Sequence, residues 1–150
     1  MSVDYEAMRA GLEQAIPFNQ HVGLEVVELG DGRGVVSLPD DQKLRNHVGS
    51  QHVGALFCAG EAASGGALVA TFGERLAEVT PLPESAEISY KKIARGPITA
   101  TATLSAGFDD LLDALDAEGS VRFPVAVELT NGAGDVVAEM TVHWYVRKND

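Results

Sequence analysis

Between Asn46 and Gly73 the chain runs through 28 residues in which Glu61 is the only Asp, Glu, Lys or Arg. Within this stretch, residues 52–73 (HVGALFCAGEAASGGALVATFG) are apolar and rich in Ala and Gly, with few β-branched residues. Length and composition therefore predict a helix over a strand. Glu61, Ser64 and the glycines interrupt the apolar run, so it reads as a buried core helix and not as a membrane span. Gly60, Gly65 and Gly66 each weaken a helix by about 1 kcal/mol relative to Ala. Such glycines make sense where a second backbone comes close, as for a helix gripped by a sheet.

The rest of the chain must then supply that sheet. Residues 22–30 (VGLEVVELG) and 33–38 (RGVVSL) read as a hairpin turned at Gly30-Asp31-Gly32. Further strands are expected over 86–95 (AEISYKKIAR), 98–106 (ITATATLSA), 121–130 (VRFPVAVELT) and 135–147 (DVVAEMTVHWYVR). The last two alternate, with Val121, Phe123, Val125, Val127 and Leu129 on one face and Val136, Ala138, Met140, Val142, Trp144 and Val146 on another. Pro124 inside such a run suggests an edge or a bulge. Residues 4–16 place Tyr5, Met8, Leu12 and Ile16 at helical spacing, and Pro17 is expected to end that helix. Phe108, Leu111, Leu112 and Leu115 form a second helical stripe with acids opposite, which predicts a short helix over 108–118 inserted between two strands. The expected order is helix, two strands, long helix, four strands. Length fits one domain over 1–150. The predicted class is α+β, a six-stranded, mostly antiparallel curved sheet wrapped around the long central helix.

Charge narrows the function. The formal net charge is −11, and Asp109, Asp110, Asp113, Asp116 and Glu118 lie in one short stretch. An acidic chain is a poor partner for nucleic acid. Cys58 is the only cysteine, so neither an internal disulfide nor a Cys-based zinc site is expected, and the thiol reads as buried and inert. The histidines near Glu61 lack H-E-x-x-H spacing, so no metal is expected. The N-terminal residues carry acids and no long apolar run, which reads as no signal peptide and a cytoplasmic protein.

Glu61 is the candidate reactive group. A carboxylate on a core helix must pair, protonate or face a cleft. Apolar surroundings raise its pKa, which suits a general base or nucleophile near neutral pH. The competing reading is a carboxylate bonded to its own backbone or to a second subunit. The segment Asn46 to Gly54 leads into the helix start, where free N–H groups and the helix dipole can hold a developing oxyanion. Gly49 and Gly54 let the backbone approach a ligand.

The string NHVGSQHVGALFCAGE resembles the signature of hotdog-fold thioesterases of the phenylacetate-pathway type, with Asn46, Gly49, His52, Gly54 and Glu61 in register. The flanking segments PFNQHVGLEVVELGDGRGVVSLP and ISYKKIARG also look like that family, and the resemblance spans roughly residues 17–147. It is similar to a branch with an extra segment before the fifth strand. The resemblance implies an acyl-CoA thioesterase. Glu61 would be general base or nucleophile, and Asn46 would orient the attacking water or the carboxylate. The N–H groups of Val53 and Gly54 would form the oxyanion hole, with His52 positioning that turn. Coenzyme A would enter as part of the substrate, with no other cofactor. Lys91, Lys92 and Arg95 would meet its phosphates, with Gly49 and Tyr90 near the ligand. Lys43 and Arg45 are alternatives for the phosphates, and a solvated strand face is the plain reading of all these cations. Ser64, one helical turn from Glu61, is expected either to bond it or to pack. The site would lie between two subunits of a homodimer, or of a dimer of dimers.

One position departs from the family pattern. Where the family has His-Gly-Gly, this chain has Val53 in place of the first glycine. The valine side chain crowds an acyl thioester, which favours the alternative of a binding protein that holds an acyl or aromatic ligand without hydrolysis. A further alternative, a 3-hydroxyacyl thioester dehydratase using His47, lacks the Pro-Gly turn such enzymes place before the acid.

Overall fold

The computed structural model describes residues 4–150. Helix α3, Val53–Phe72, forms as the composition predicts, and 13 of its 20 residues are buried. A helix apolar on every side must be enclosed. The enclosure is a six-stranded sheet made of β1 (Glu25–Gly30), β2 (Arg33–Leu38), β3 (Val79–Tyr90), β4 (Ile98–Thr103), β5 (Ser120–Thr130) and β6 (Val136–Lys148). Its order is β1-β2-β4-β5-β6-β3, and every pairing is antiparallel. By length and composition the α3 region could cross a membrane, yet here it is wrapped by the sheet.

Alternation sets which side chains face the helix. Phe123, Val125, Val127 and Leu129 of β5, and Met140, Val142, Trp144 and Val146 of β6, are buried as their spacing predicts. The tightest contact is backbone against backbone. A Cβ on Gly34 of β2 would lie 2.5 Å from the Ala63 carbonyl oxygen and 2.6 Å from the Ala67 nitrogen. A Cβ on Gly66 would lie 2.9 Å from Leu29 Cδ2, and one on Gly60 2.5 Å from Met140 Sδ. These glycines let helix and sheet close up.

Two helices lie at the N-terminus. Helix α1, Tyr5–Ala15, ends where expected, but Pro17 does not simply stop it. Pro17 occupies the first turn of a second helix, α2, Pro17–Val22. There its missing N–H costs nothing and its fixed φ suits the helix. Helix α1 lies against β1, an edge strand, where Arg9 Nη1 donates to the Val26 carbonyl (2.8 Å) and the Val26 N–H donates to Glu13 Oε2 (3.1 Å). Both outward backbone groups of Val26 are thus capped by side chains. Unpaired edge groups otherwise invite strand addition.

Three expectations about the strands are corrected. The third strand starts at Val79 and not at 86, running through Pro81 and Pro83. It is the other edge, paired with β6 alone, so the prolines sacrifice no ladder bond on their open side. It also stops at Tyr90, because the N–H groups of Lys91 and Lys92 both donate to the Val137 carbonyl and turn the chain off the ladder. The fourth strand ends at Thr103, short of 106. Strand β5 is interior, yet β4 pairs with it only from Ala126 to Thr130, so Pro124 has a neighbour on one side only, and the bulge falls at Leu129/Thr130 instead.

The acidic helix α4, Phe108–Glu118, has the predicted bounds. Leu111 and Leu115 bury against the sheet, and Asp116 is held by Arg75 (2.6 Å) and Lys148 (2.7 Å). These two cations hold the Asp116 carboxyl well below the usual carboxylate range.

Candidate functional site

Glu61 lies midway along α3, where the helix emerges from the sheet beneath α1. Its carboxylate lines a cavity of about 310 Å³ together with Leu12, Ile16, Gly65, Leu68 and Trp144. No side-chain or backbone group among the described residues donates a hydrogen bond or forms an ion pair with it. Burial raises its pKa above the ordinary value. Cys58, one turn earlier, has its thiol pushed up by burial first and by the Glu61 charge second. It is half-buried, and the raised pKa keeps the thiol in its less reactive protonated form.

Glu13 is a second carboxylate on the same cavity. It carries no signal in the sequence, because α1 becomes a cavity wall only once it has docked on the sheet and core helix. Asn19 and Pro83 complete the rim.

Ser64 is a correction. It is fully buried and does not line the Glu61 cavity. Ser64 Oγ donates to the Glu61 backbone carbonyl (2.7 Å) and accepts from Trp144 Nε1 (3.1 Å). It fixes the indole that walls the cavity and makes no bond to the Glu61 carboxylate.

Asn46 closes a tight loop. Its Oδ1 accepts from the N–H groups of Val48 and Ser50, both at 3.0 Å, and its Nδ2 donates to Ser50 Oγ at 2.9 Å. Gly49 in this loop has φ +76°, a conformation that side chains disfavour. Within one chain Asn46 and Glu61 line different cavities. Gln51, which sequence reasoning did not single out, anchors the loop base. It is buried, and its Nε2 donates to the carbonyls of Pro39 (2.9 Å) and Gly96 (3.0 Å).

His52 is the N-cap of α3, and its Nδ1 accepts from the Gly54 N–H at 2.8 Å. The expectation of two free donors is therefore modified. The Gly54 N–H is already engaged, whereas the Val53 N–H has no partner among the described residues. Val53 is exposed and shares a surface cavity with Asn46, Tyr90, Lys91 and Lys92. Lys92 pairs with Asp135 at 3.5 Å. Arg95 is exposed outside that cavity, and Lys43 and Arg45 flank His52 and Gly54 in another. His47 is exposed on the Asn46 loop and does not line the Glu61 cavity. No cluster of three His, Cys, Asp or Glu side chains suited to a metal occurs among the described residues. Helix α4 lines neither the Glu61 cavity nor the Lys91 cavity.

A curved antiparallel sheet around one core helix, with an acid on that helix, defines the hotdog fold of the thioesterase superfamily. The chain belongs to the family described as domain of unknown function DUF4442, which matches residues 5–146. No curated protein matches its sequence. Among solved structures, a Pseudomonas aeruginosa protein of unknown function, named a "Probable Thioesterase", is 29% identical over 99% of both chains, with a TM-score of 0.85. A protein of unknown function from Chlorobaculum tepidum superposes with a TM-score of 0.86 at 15% identity, covering 97% of this chain and 94% of its own. The phenylacetic acid degradation protein PaaI from Thermus thermophilus superposes with a TM-score of 0.68 at 20% identity, covering 87% and 98%.

Proposed function

We propose that this protein hydrolyses acyl thioesters, with coenzyme A as the thiol part of the substrate. The observation that carries this reading is the Glu61 carboxylate, unpaired among the described residues, on a cavity whose walls are mostly apolar. Such a group takes a proton from water as the water oxygen attacks the thioester carbonyl carbon. The negative charge that develops on the carbonyl oxygen needs donors, and the Val53 N–H at the start of α3 is one, assisted by the helix dipole. Collapse of the adduct expels the thiolate, which recovers the proton from Glu61. The products are a carboxylic acid and a free thiol.

Glu61 and the Val53 turn line separate cavities in one chain, so the reading includes a second subunit that brings its own turn to Glu61. The open edge of β3 and the exposed apolar side chains of Val53, Phe57, Leu82 and Tyr90 suit such an interface. Lys91, Lys92 and Arg95 then serve the coenzyme A phosphates. The test is turnover of a panel of acyl-CoA thioesters by the native chain and by Glu61→Ala. Hydrolysis that disappears in the variant supports the reading; hydrolysis that persists sinks it.

A second reading has a specific observation in its favour. Because His52 occupies the Gly54 N–H, one of the two expected oxyanion donors is spent. That favours a protein that binds an acyl ligand without cleaving it. Ligand-induced thermal stabilisation without any turnover separates this reading from the first.

A further inference from the structure

Gly65 stands apart from the other glycines of α3. A Cβ on Gly60 or Gly66 would strike a neighbouring side chain, Met140 Sδ at 2.5 Å or Leu29 Cδ2 at 2.9 Å, and force it to move. A Cβ on Gly65 would meet nothing nearer than Trp144 Cζ2 at 3.9 Å, ordinary van der Waals contact. Packing inside the chain therefore does not require a glycine there. The helix still bears the cost of one, about 1 kcal/mol. Gly65 is one helical turn beyond Glu61 and on the same face. It lines the Glu61 cavity, so a side chain at this position would project into that space beside the carboxylate.

The rest of the cavity indicates what fills the space. Leu12 and Ile16 from α1, Leu68 from α3 and the Trp144 ring make its walls apolar. Trp144 is not free to swing away, since Ser64 holds its indole N–H. Glu61 lines the cavity with no cation beside it and disfavours a ligand that carries negative charge into it, whereas the Glu13 carboxylate is taken up by the Val26 N–H and Arg9. The volume, about 310 Å³, is at the small end of the roughly 300–1,000 Å³ range of small-molecule sites.

We propose that Gly65 is a specificity-determining residue: the cavity it opens between α1, α3 and Trp144 receives the uncharged, medium-length hydrocarbon tail of an acyl group. The inference rests on the thioester reading for the word acyl, and on the cavity alone for the hydrocarbon tail. A long chain overfills the space, and an acyl group ending in a carboxylate is disfavoured beside Glu61.

Two measurements test it, one of them independent of catalysis. Calorimetry with non-hydrolysable alkyl-CoA thioethers (methyl, hexyl, decyl and hexadecyl) is run on the native chain, Gly65→Ala and Gly65→Leu. The native chain is expected to bind the hexyl and decyl compounds best. Gly65→Leu is expected to weaken decyl binding roughly tenfold or more while methyl binding stays unchanged, the scale on which pockets discriminate by methylenes. Gly65→Ala, which favours the helix, keeps the test open if Leu disturbs folding, and it is expected to shift the optimum toward shorter chains. Turnover of hexanoyl-CoA against adipoyl-CoA, which adds a terminal carboxylate, is expected to favour hexanoyl about tenfold or more. Equal decyl binding in native and Gly65-substituted chains overturns the proposal and leaves the hydrolase reading standing. Gly65-dependent decyl binding without turnover of any thioester supports the proposal and sinks the hydrolase reading.

Discussion

Trp144 Nε1 donates to Ser64 Oγ at 3.1 Å, joining the last strand to the centre of the core helix. Ser64 is fully buried and passes the chain of bonds on to the Glu61 backbone carbonyl at 2.7 Å. The wall of the cavity and the backbone that carries its carboxylate are thus set by one hydroxyl. In Ser64→Ala the indole N–H loses its partner inside the protein, at a cost of about 1–3 kcal/mol. The expected result is a lower denaturation midpoint and an altered near-ultraviolet circular dichroism signal from Trp144. A wild-type midpoint and spectrum would show that the bond carries no such weight.

Glu61 gives a prediction with a definite sign. Burial raises its folded-state pKa, so between the unfolded and folded titrations the native chain holds a proton that the unfolded chain has lost. Stability is then highest below the ordinary carboxylate range and falls as pH rises through the folded-state value. Glu61→Gln removes that penalty. The variant is expected to melt higher than the native chain in mildly alkaline buffer, by an amount that shrinks in mild acid. Its thioesterase rate is expected to drop by about 10²–10⁴, the usual contribution of a general base. In the native chain the rate is expected to rise with pH along a limb centred above the ordinary glutamate value of about 4.3.

The glycines predict a contrast that chemical denaturation resolves. Gly34→Ala drives a Cβ into the α3 backbone at 2.5 Å and has no flexible side chain to displace. It is expected to cost about 1–3 kcal/mol or more. Gly65→Ala meets open space and is expected to stabilise by up to about 1 kcal/mol. Equal effects would mean that the close approach of β2 to α3 is not what the geometry gives.

The cap of α3 gives another. His52→Ala removes the acceptor for the Gly54 N–H and is expected to cost about 0.5–2 kcal/mol, with His52→Asn recovering most of it. If His52→Ala raises turnover, the released Gly54 N–H is serving as a second oxyanion donor.

The architecture was legible because it rests on patterns the chain states locally. An apolar run too long for a strand gave α3, and alternation gave β5 and β6. The acidic helix was readable to the residue, since its stripe of leucines and its flanking glycines are both local. What failed depended on the third dimension. The third strand was expected only from residue 86, after Pro81 and Pro83, yet it runs through both because β3 has a partner on one side only. Pro17 looked like a stop and proved to be a start, since two helices meet there with one residue between them. Glu61 stood out as a lone acid in a long apolar stretch. Glu13 did not, since an acid on an amphipathic surface helix is ordinary until docking turns it inward. Ser64 was expected either to bond Glu61 or to pack; it does both, buried in the core with its bond made to the Glu61 backbone.

Arg9 and Glu13 supply one more test. Replacing Arg9 with Ala frees the Val26 carbonyl and loosens the Glu13 contact with the Val26 N–H. Amide hydrogen exchange at Val26 is expected to speed up, and protease cleavage within α1 to become faster.

That pair of bonds ties two properties to a single hinge. The helix that shields an outermost strand is also the roof over the greasy chamber. Cleavage within α1 would therefore strip a wall from that chamber and, in the same stroke, leave a sticky ribbon bare. Collapse of the chamber and onset of clumping should arrive together.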